Sequence, residues 1–455
     1  MESTNQVEES STVQDESAGV NDKTDDETNQ RWDIFIAALL KNSQIDLDKT
    51  ARETKALIRK REIGSAKDLL HLLFFIAVSG WPFRLIGLWA LIGNIGWISD
   101  VAIIHRLRKS KKWLEMLVSE VIAARYAPIH SNSAFRADIR DATNINIPGS
   151  KGTDWRLHVA FDLGSMRISG INITDQHGCE TFGRFFSDIG EIVMGDRGYA
   201  FITSIKSVLE SGAWLLVRAN WHNLKVVDLH QKPFKIIFWL ETVKYISETT
   251  IRIQTSKGWH DLRLIAMPLP PEKVETARKK AIKRNTKKQQ NVSSSTIFAA
   301  GFIVLLTNLP AETWSPASVI DFYRFRWQIE LLFKRLKSLL DLDTLRVKNS
   351  DAAQAIILAK ILIAVLVDDV ISDINALEHD WFESIDRPVS MYRITNLVYQ
   401  AVFHKIAGQW YNKLIIFWPL LKRYLCDAPR KRINQSAVAR ALINDLCLHP
   451  SISLS

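Results

Sequence analysis

The sequence is most informative first for what it lacks. Its 455 residues contain only three cysteines, Cys179, Cys426 and Cys447, far apart and with no CxxC pair. Neither a zinc ribbon nor a disulfide framework is indicated, and the usage fits a reducing cytoplasm. No apolar run reaches the roughly 20 uninterrupted residues that a membrane-spanning helix needs. The most apolar stretch, 69–104, is divided: Leu69–Phe83 contains His71, Arg84 interrupts, and the run from Leu85 stops at Ser99-Asp100. Buried helices are expected there, not membrane spans. No internal repeat is found. The first thirty residues have almost no large apolar side chains and are unlike a signal peptide; rich in Ser, Thr, Asn, Asp and Glu, they read as a disordered tail.

Charge is unevenly distributed. The formal net charge is +10, yet residues 1–30 hold nine acidic residues against one lysine, so the tail carries −8 and the remaining chain +18. Such a basic body points to a polyanion partner, nucleic acid before an anionic membrane. Hydrophobic residues make up 47%, enough for sizeable cores in two to four domains.

A helical region is predicted over about 31–127. Within it, one helix ends near Gly93-Asn94-Ile95-Gly96 and Ser99 caps the next, which carries His105, Arg106, Arg108, Lys109, Lys111 and Lys112. Helix, glycine turn and basic helix resemble a helix-turn-helix, and equally an ordinary hairpin with a solvated basic face. From 133 the pattern becomes α/β. ADIRDATNI reads as a short strand ending in a polar turn, WRLHVAFDL and MRISGINIT as strands, ETFGRFFSDIG as a short helix, EIVMGDRGYA as a strand ending at Asp196, FITSIKSVLESG as a helix and AWLLVRAN as a strand. The order β-β-β-α-β-α-β suits a ribonuclease-H-like catalytic core of class α/β, over 128–220 and 313–350. It is interrupted by a β-rich insertion at 221–312 with strand-like LKVVDL, PFKIIFWLE, TIRIQT, DLRLIAM and FAAGFIVLLT. The basic arm of that insertion has eight basic and two acidic residues in 271–290. Residues 351–455 read as a helical C-terminal region, its aromatics (Phe403, Trp410, Tyr411, Phe417, Trp418) covering the core or forming a dimer surface.

The stretch Asp321–Leu340, DFYRFRWQIELLFKRLKSLL, reads as one helix. With Tyr323 at zero and about 100° per residue, Arg326, Glu330 and Lys337 fall at about 300°, 340° and 320°. Leu332, Phe325, Leu336 and Ile329 fall at about 180–240°, a separate stripe for the core. One carboxylate thus sits among two cations and a phenol, an arrangement suited to a metal ligand beside a phosphate; a plain i,i+4 pair with Arg326 or Lys334 is the rival. Asp141, after Ala137-Asp138-Ile139-Arg140, and Asp196, after Ile192-Val193-Met194-Gly195, are placed at strand ends, where α/β sheets put their sites. Two strand-end aspartates and Glu330 offer hard oxygen donors of the kind Mg²⁺ takes. Asp138, on the opposite strand face from Asp141, and Asp162, inside a strand, rank lower.

At these residues the chain resembles a known family. Tyr323, Arg326, Glu330 and Lys337 reproduce the Y-x2-R-x3-E-x6-K signature of DDE transposases of bacterial insertion sequence family four, and DATNI and MGDRGY look like its two aspartate motifs. The resemblance covers about 80–445. It implies that Asp141, Asp196 and Glu330 bind two Mg²⁺ ions, which Mn²⁺ replaces, for DNA cleavage and strand transfer. It implies that Tyr323, Arg326 and Lys337 contact DNA phosphates. Double-stranded DNA with terminal inverted repeats, a homodimer in the DNA complex and a cytoplasmic, nucleoid-associated location are implied likewise. Family members often excise through a hairpin with a base flipped onto an aromatic; Trp314 is more readily a packing residue. A catalytically silent repressor and a structure-specific nuclease with the same core are the alternatives.

Overall fold

The computed structural model describes residues 32–132, 136–150, 152–222, 224–287, 291–381 and 391–407. The chain opens with helices α1 (residues 32–39), α2 (Leu47–Glu53), α3 (Ala66–Ser79), α4 (Phe83–Ile92) and α5 (Asp100–Asn132). Local chemistry sets their ends. Asp46 and Ser65 cap α2 and α3 through the amides of Lys49 and Asp68, and Gly80 closes α3 in the left-handed conformation. Ser99 Oγ accepts from Ala102 N at the start of α5, as its capping role requires. α5 is a 33-residue helix that buries Ile103, Leu107, Trp113, Leu114 and Leu117 on one face and leaves His105, Arg108, Lys109 and Lys112 exposed on the other, as either a helix-turn-helix or a hairpin with a basic face requires.

Eight strands follow in one mixed sheet: β1 (Ala137–Ile145), β2 (Trp155–Asp162), β3 (Arg167–Asp175), β4 (Ile192–Gly195), β5 (Trp214–Arg218), β6 (Ser247–Thr255), β7 (Gly258–Pro268) and β8 (Phe302–Thr307). Their spatial order is β3-β2-β1-β4-β5-β8-β7-β6. β4 lies parallel to both β1 and β5, and every other neighbouring pair is antiparallel. The strands of 221–312 therefore extend the same sheet past β5. α6 (Ile202–Ser211) precedes β5, α7 (Ile236–Leu240) precedes β6, and α8 (Pro271–Lys287) and α9 (Ser294–Ala299) lie between β7 and β8. The basic arm is α8, described as far as Lys287. PFKIIFWLE holds helix α7 where a strand was expected, and in LKVVDL only Val227 makes isolated bridges.

Strand periodicity divides the interior into two layers. Ile139 of β1, Ile192 and Met194 of β4, Leu216 and Leu305 join one core, while Val193, Leu215, Val217 and Leu306 join the other. The first core is covered by α3, α5 and the C-terminal helices α10 (Pro316–Tyr323), α11 (Trp327–Leu340), α12 (Ser350–Trp381) and α13 (Met391–Ala407). The architecture is thus mixed α/β, a central mixed sheet flanked by helical N- and C-terminal regions. In α12, Lys360 is buried and donates to the carbonyls of Asp341 (2.6 Å) and Thr344 (3.4 Å), just past the end of α11. Burial lowers its ammonium to about 8, and the two carbonyls account for a cation among the buried apolar residues around it. Trp410, Tyr411, Phe417 and Trp418 lie outside the described residues. Among the described residues, no helix is long and apolar enough to cross a membrane.

The turn between α4 and α5 packs backbone against backbone. Gly96 has φ +145°, and a β-carbon there would stand 1.9 Å from the Glu62 carbonyl oxygen. Gly96→Ala is expected to destabilise the N-terminal helices by about 2–3 kcal/mol, because neither the conformation nor the contact accepts a side chain. Urea denaturation checks this; a loss below about 0.5 kcal/mol, the scale of an ordinary surface substitution, contradicts it.

Candidate active site at the β1–β4 edge and helix α11

Register brings the two aspartates together. β1 and β4 pair in parallel from Ala137↔Ile192 to Arg140↔Gly195, so Asp141 and Asp196 come next on adjacent strands, about 4.8 Å apart in the sheet. Both share the parity of Ile139, Ile192 and Met194, the face that α11 covers. One expectation is corrected: Asp141 is not at a strand end. β1 continues to Ile145 because it keeps antiparallel partners on β2 after β4 has ended. Asp196 does follow the end of β4, where it caps the short 3₁₀ turn Arg197–Tyr199 by accepting from Gly198 N at 2.6 Å.

The 321–340 segment is not one helix. α10 ends at Tyr323, residues Arg324–Arg326 wind as a 3₁₀ turn, and α11 begins at Trp327. Ile329, Leu332 and Leu336 are buried as the stripe requires, but Phe325 is 52% exposed, since the tighter turn rotates it out of register. Three of the four polar residues nevertheless reach β1 or β4, and the fourth, Glu330, pairs with Arg326. Tyr323 Oη donates to the Gly195 carbonyl (3.3 Å), and Lys337 Nζ donates to the Asn144 carbonyl (3.2 Å) and lies 3.7 Å from Asp343. Arg326 pairs with Glu330 through Nη2, lies 3.7 Å from Asp141 Oδ2 through Nη1, and stacks over the Tyr323 ring at 5.9 Å. One guanidinium thereby lies between Asp141 and Glu330, and the i,i+4 pair is present. Among the described residues, no three His, Cys, Asp or Glu side chains stand close enough to hold a metal ion as they are.

The electrostatics are those of crowded carboxylates. Burial first, and then the charge of Asp196, raise Asp141 to about 7; Arg326 and the Ala142 amide (2.8 Å) oppose this only in part. Burial pushes the Tyr323 phenol up to about 12. Tyr199, buried beside Asp141, Glu180 and Asp196, is raised as well, again chiefly by burial.

Glu180 was not singled out from the sequence. One of its oxygens lies 2.1 Å from where a Gly198 β-carbon would stand, and Asp196 Oδ1 lies 2.9 Å from the same point. Gly198, the second glycine of MGDRGY, is therefore needed where two carboxylates converge. Glu180 is brought there by a loop expected to be a helix. Buried Arg140 takes the carbonyls of Phe182 (2.7 Å), Phe185 (3.1 Å) and Phe186 (2.7 Å), leaving only a 3₁₀ turn at Phe182–Arg184.

The lower-ranked acids have other occupations. Asp138 accepts from Arg140 Nε (3.0 Å) and Ser169 Oγ (2.6 Å), and Asp162 accepts from the amide and hydroxyl of Ser165 in the β2–β3 turn. Trp314 packs on Phe322 at 5.1 Å.

Comparison with known proteins agrees with the motif resemblance. The profile of the family described as "Transposase DDE domain" matches residues 139–366. The transposase for insertion sequence element IS421 of Escherichia coli is 35% identical over 353 residues, 76% of this chain and 95% of that protein. The transposase for IS231F of Bacillus thuringiensis subsp. israelensis is 24% identical over 402 residues, 78% of this chain and 83% of that protein. Among solved structures, the piggyBac transposase synaptic complex with hairpin DNA aligns over 88% of this chain and 87% of its own at TM-score 0.44 and 10% identity. The chain belongs to the DDE transposase family, as an enzyme of an insertion sequence element of family four.

Proposed function

We propose that this transposase binds the terminal inverted repeats of its element, cleaves DNA at their ends and joins the freed ends to a target, with Asp141, Asp196 and Glu330 as the metal-binding carboxylates. The observation that carries this reading is the register of β1 and β4. It sets Asp141 beside Asp196 on the face covered by α11, whose Glu330 is tied to Asp141 through Arg326. The family implies a divalent metal, and the donor set fits one: all three donors are hard oxygens, and a cation favours the charged form of Asp141 that burial and then the charge of Asp196 disfavour. When bound, two Mg²⁺ ions, or Mn²⁺ in their place, activate the attacking oxygen and stabilise the leaving one.

In the first step water attacks a phosphodiester, the P–O3′ bond breaks, and a 3′ hydroxyl and a 5′ phosphate result. In the second, that 3′ hydroxyl displaces the 3′ oxygen of a target phosphodiester, one bond forming as one breaks. Tyr323, Arg326 and Lys337 are the phosphate contacts of this reading. Each now spends its donors on Gly195, Glu330 or Asn144, and each exchanges them for phosphate oxygens when DNA arrives. β1–β5 with α10 and α11 serve as the ribonuclease-H-like core, and 221–312 as its insertion, spread along the same sheet. Residues 31–127 bind the ends, and a homodimer pairs two of them.

The test is incubation of purified protein with Mg²⁺ and a duplex carrying the inverted repeats that flank its gene. End-specific nicks and joined products, both abolished by EDTA, are expected. Cleavage without joining indicates the structure-specific nuclease, and binding without cleavage the silent repressor; either overturns the reading.

A further inference from the structure

A cleft of about 810 Å³ opens in the N-terminal helical region, between the 55–63 segment and the first turns of α5. Five cations line it, Lys55, Arg59, Arg61, Arg106 and Lys109, with His105 beside them, against a single carboxylate, Glu62. Nearby Lys60 lies 3.5 Å from Asp48, but Lys55, Arg59, Arg61 and Lys109 pair with no carboxylate among the described residues. Half-buried Arg106 is further crowded: burial and the charge of Arg61 both weaken its hold on its proton. The walls are fixed in place. Gly96 presses its backbone against Glu62, and the buried Ile63, Ile98 and Ile103 anchor each side. A concavity with so large an excess of positive charge raises the local concentration of an anion and loses its self-repulsion when one binds.

We propose that this cleft grips the phosphate backbone of duplex DNA and does not read bases. The proposal rests on the reading of residues 31–127 as the end-binding region, and refines it. Base readout needs an element that enters a groove with its side chains free, whereas α5 is held against the core by Ile103, Leu107, Trp113 and Leu114 and lines the cleft with His105, Arg106 and Lys109. Neutralising phosphates is sequence-independent and makes affinity fall with salt in proportion to the number of contacts.

The experiment compares wild-type protein with Arg59→Glu/Lys109→Glu, and with the milder Arg59→Gln/Lys109→Gln. Both residues are exposed, so the fold survives, which thermal melting verifies. Binding of a fluorescein-labelled terminal-repeat duplex and of a scrambled duplex is measured by anisotropy across a salt series. Expected is a loss of about tenfold or more for both duplexes alike, with the log–log salt slope smaller by about 2 for two lost phosphate contacts. Unchanged affinity overturns the proposal. So does loss confined to the terminal repeat, which indicates base reading, or tighter binding, which indicates that the chain's own acidic residues 1–30 occupy the cleft. Mg²⁺-dependent nicking at saturating protein separates the two readings: variants that bind weakly yet nick leave the transposase assignment intact, and a wild type that never nicks fails it independently of the cleft.

Discussion

Glu330→Gln is expected to slow Mg²⁺-dependent nicking at the element ends by about 1,000-fold, roughly 4 kcal/mol of barrier, while affinity for the end duplex is retained. Glutamine keeps the shape of the side chain and still accepts from Arg326, but it no longer offers the anionic oxygen that a hard divalent cation prefers. The fold has little stake in the charge. The Glu330 side chain is 35% exposed in the first turn of α11, where a carboxylate contributes at most about 1 kcal/mol through the helix dipole. Rates of nicking and anisotropy of a labelled end duplex, measured on the same preparation, separate chemistry from binding. Near-wild-type nicking by the variant removes Glu330 from the metal site and leaves the Arg326 pair as its whole role.

Arg140→Met is expected to cost about 3–5 kcal/mol of stability, the penalty of stranding a buried charge. Arg140 is wholly buried, its Nε bonded to Asp138 and its other nitrogens to three loop carbonyls, with Glu191 3.9 Å away. Burial and the charge of Asp138 already raise Glu191 to about 7, so removing the guanidinium leaves two acids and three carbonyls without their cation. Urea denaturation of the single variant, of Asp138→Asn and of the double variant forms a cycle; the double is expected to cost less than the sum of the singles. A single-variant loss below about 1 kcal/mol, within the range of ordinary substitutions, contradicts this account of the loop. Because the same loop delivers Glu180 to Gly198 and Asp196, nicking by Arg140→Met falls as well.

The sequence made the site legible wherever chemistry follows local spacing. Helical arithmetic puts Tyr323, Arg326, Glu330 and Lys337 on one face, and Tyr323, Arg326 and Lys337 still contact β1 or β4 although a 3₁₀ turn breaks the helix between them. Tyr323 and Lys337 hydrogen bond near the ends of β4 and β1 and Arg326 pairs with Asp141 and Glu330, so an error of some tens of degrees in the winding leaves these contacts within reach. The apolar stripe tolerated less: Phe325, one residue from Arg326, lies on solvent. Strand alternation placed Asp138 opposite Asp141, and pairing with Arg140 and Ser169 explains what Asp138 does there.

Non-local contacts were the part left unread. The span of β1 beyond Asp141 is set by β2, ten or more residues later, and the loop at Phe182–Phe186 is set by Arg140, more than forty residues earlier. A local helical pattern in ETFGRFFSDIG could not compete once a buried guanidinium claimed its carbonyls. The strands of 221–312 were legible one by one as TIRIQT, DLRLIAM and FAAGFIVLLT, but not their docking onto β5, because alternation specifies a face and not a neighbour. Glu180 escaped for the same reason: nothing beside it in sequence marks it, and only the missing β-carbon of Gly198 betrays its approach.

That Asp141, Asp196 and Glu330 form one metal centre is tested most directly by Mn²⁺ titration of the protein bound to an end duplex, followed by electron paramagnetic resonance. Wild-type protein is expected to take up two ions. Asp196→Asn is expected to weaken binding by more than about 100-fold, beyond what loss of an outer-shell partner costs. Asp162→Asn, whose carboxylate only caps the Ser165 turn, leaves binding unchanged. Wild-type Mn²⁺ affinity in Asp196→Asn, or an equal loss in Asp162→Asn, contradicts the assignment.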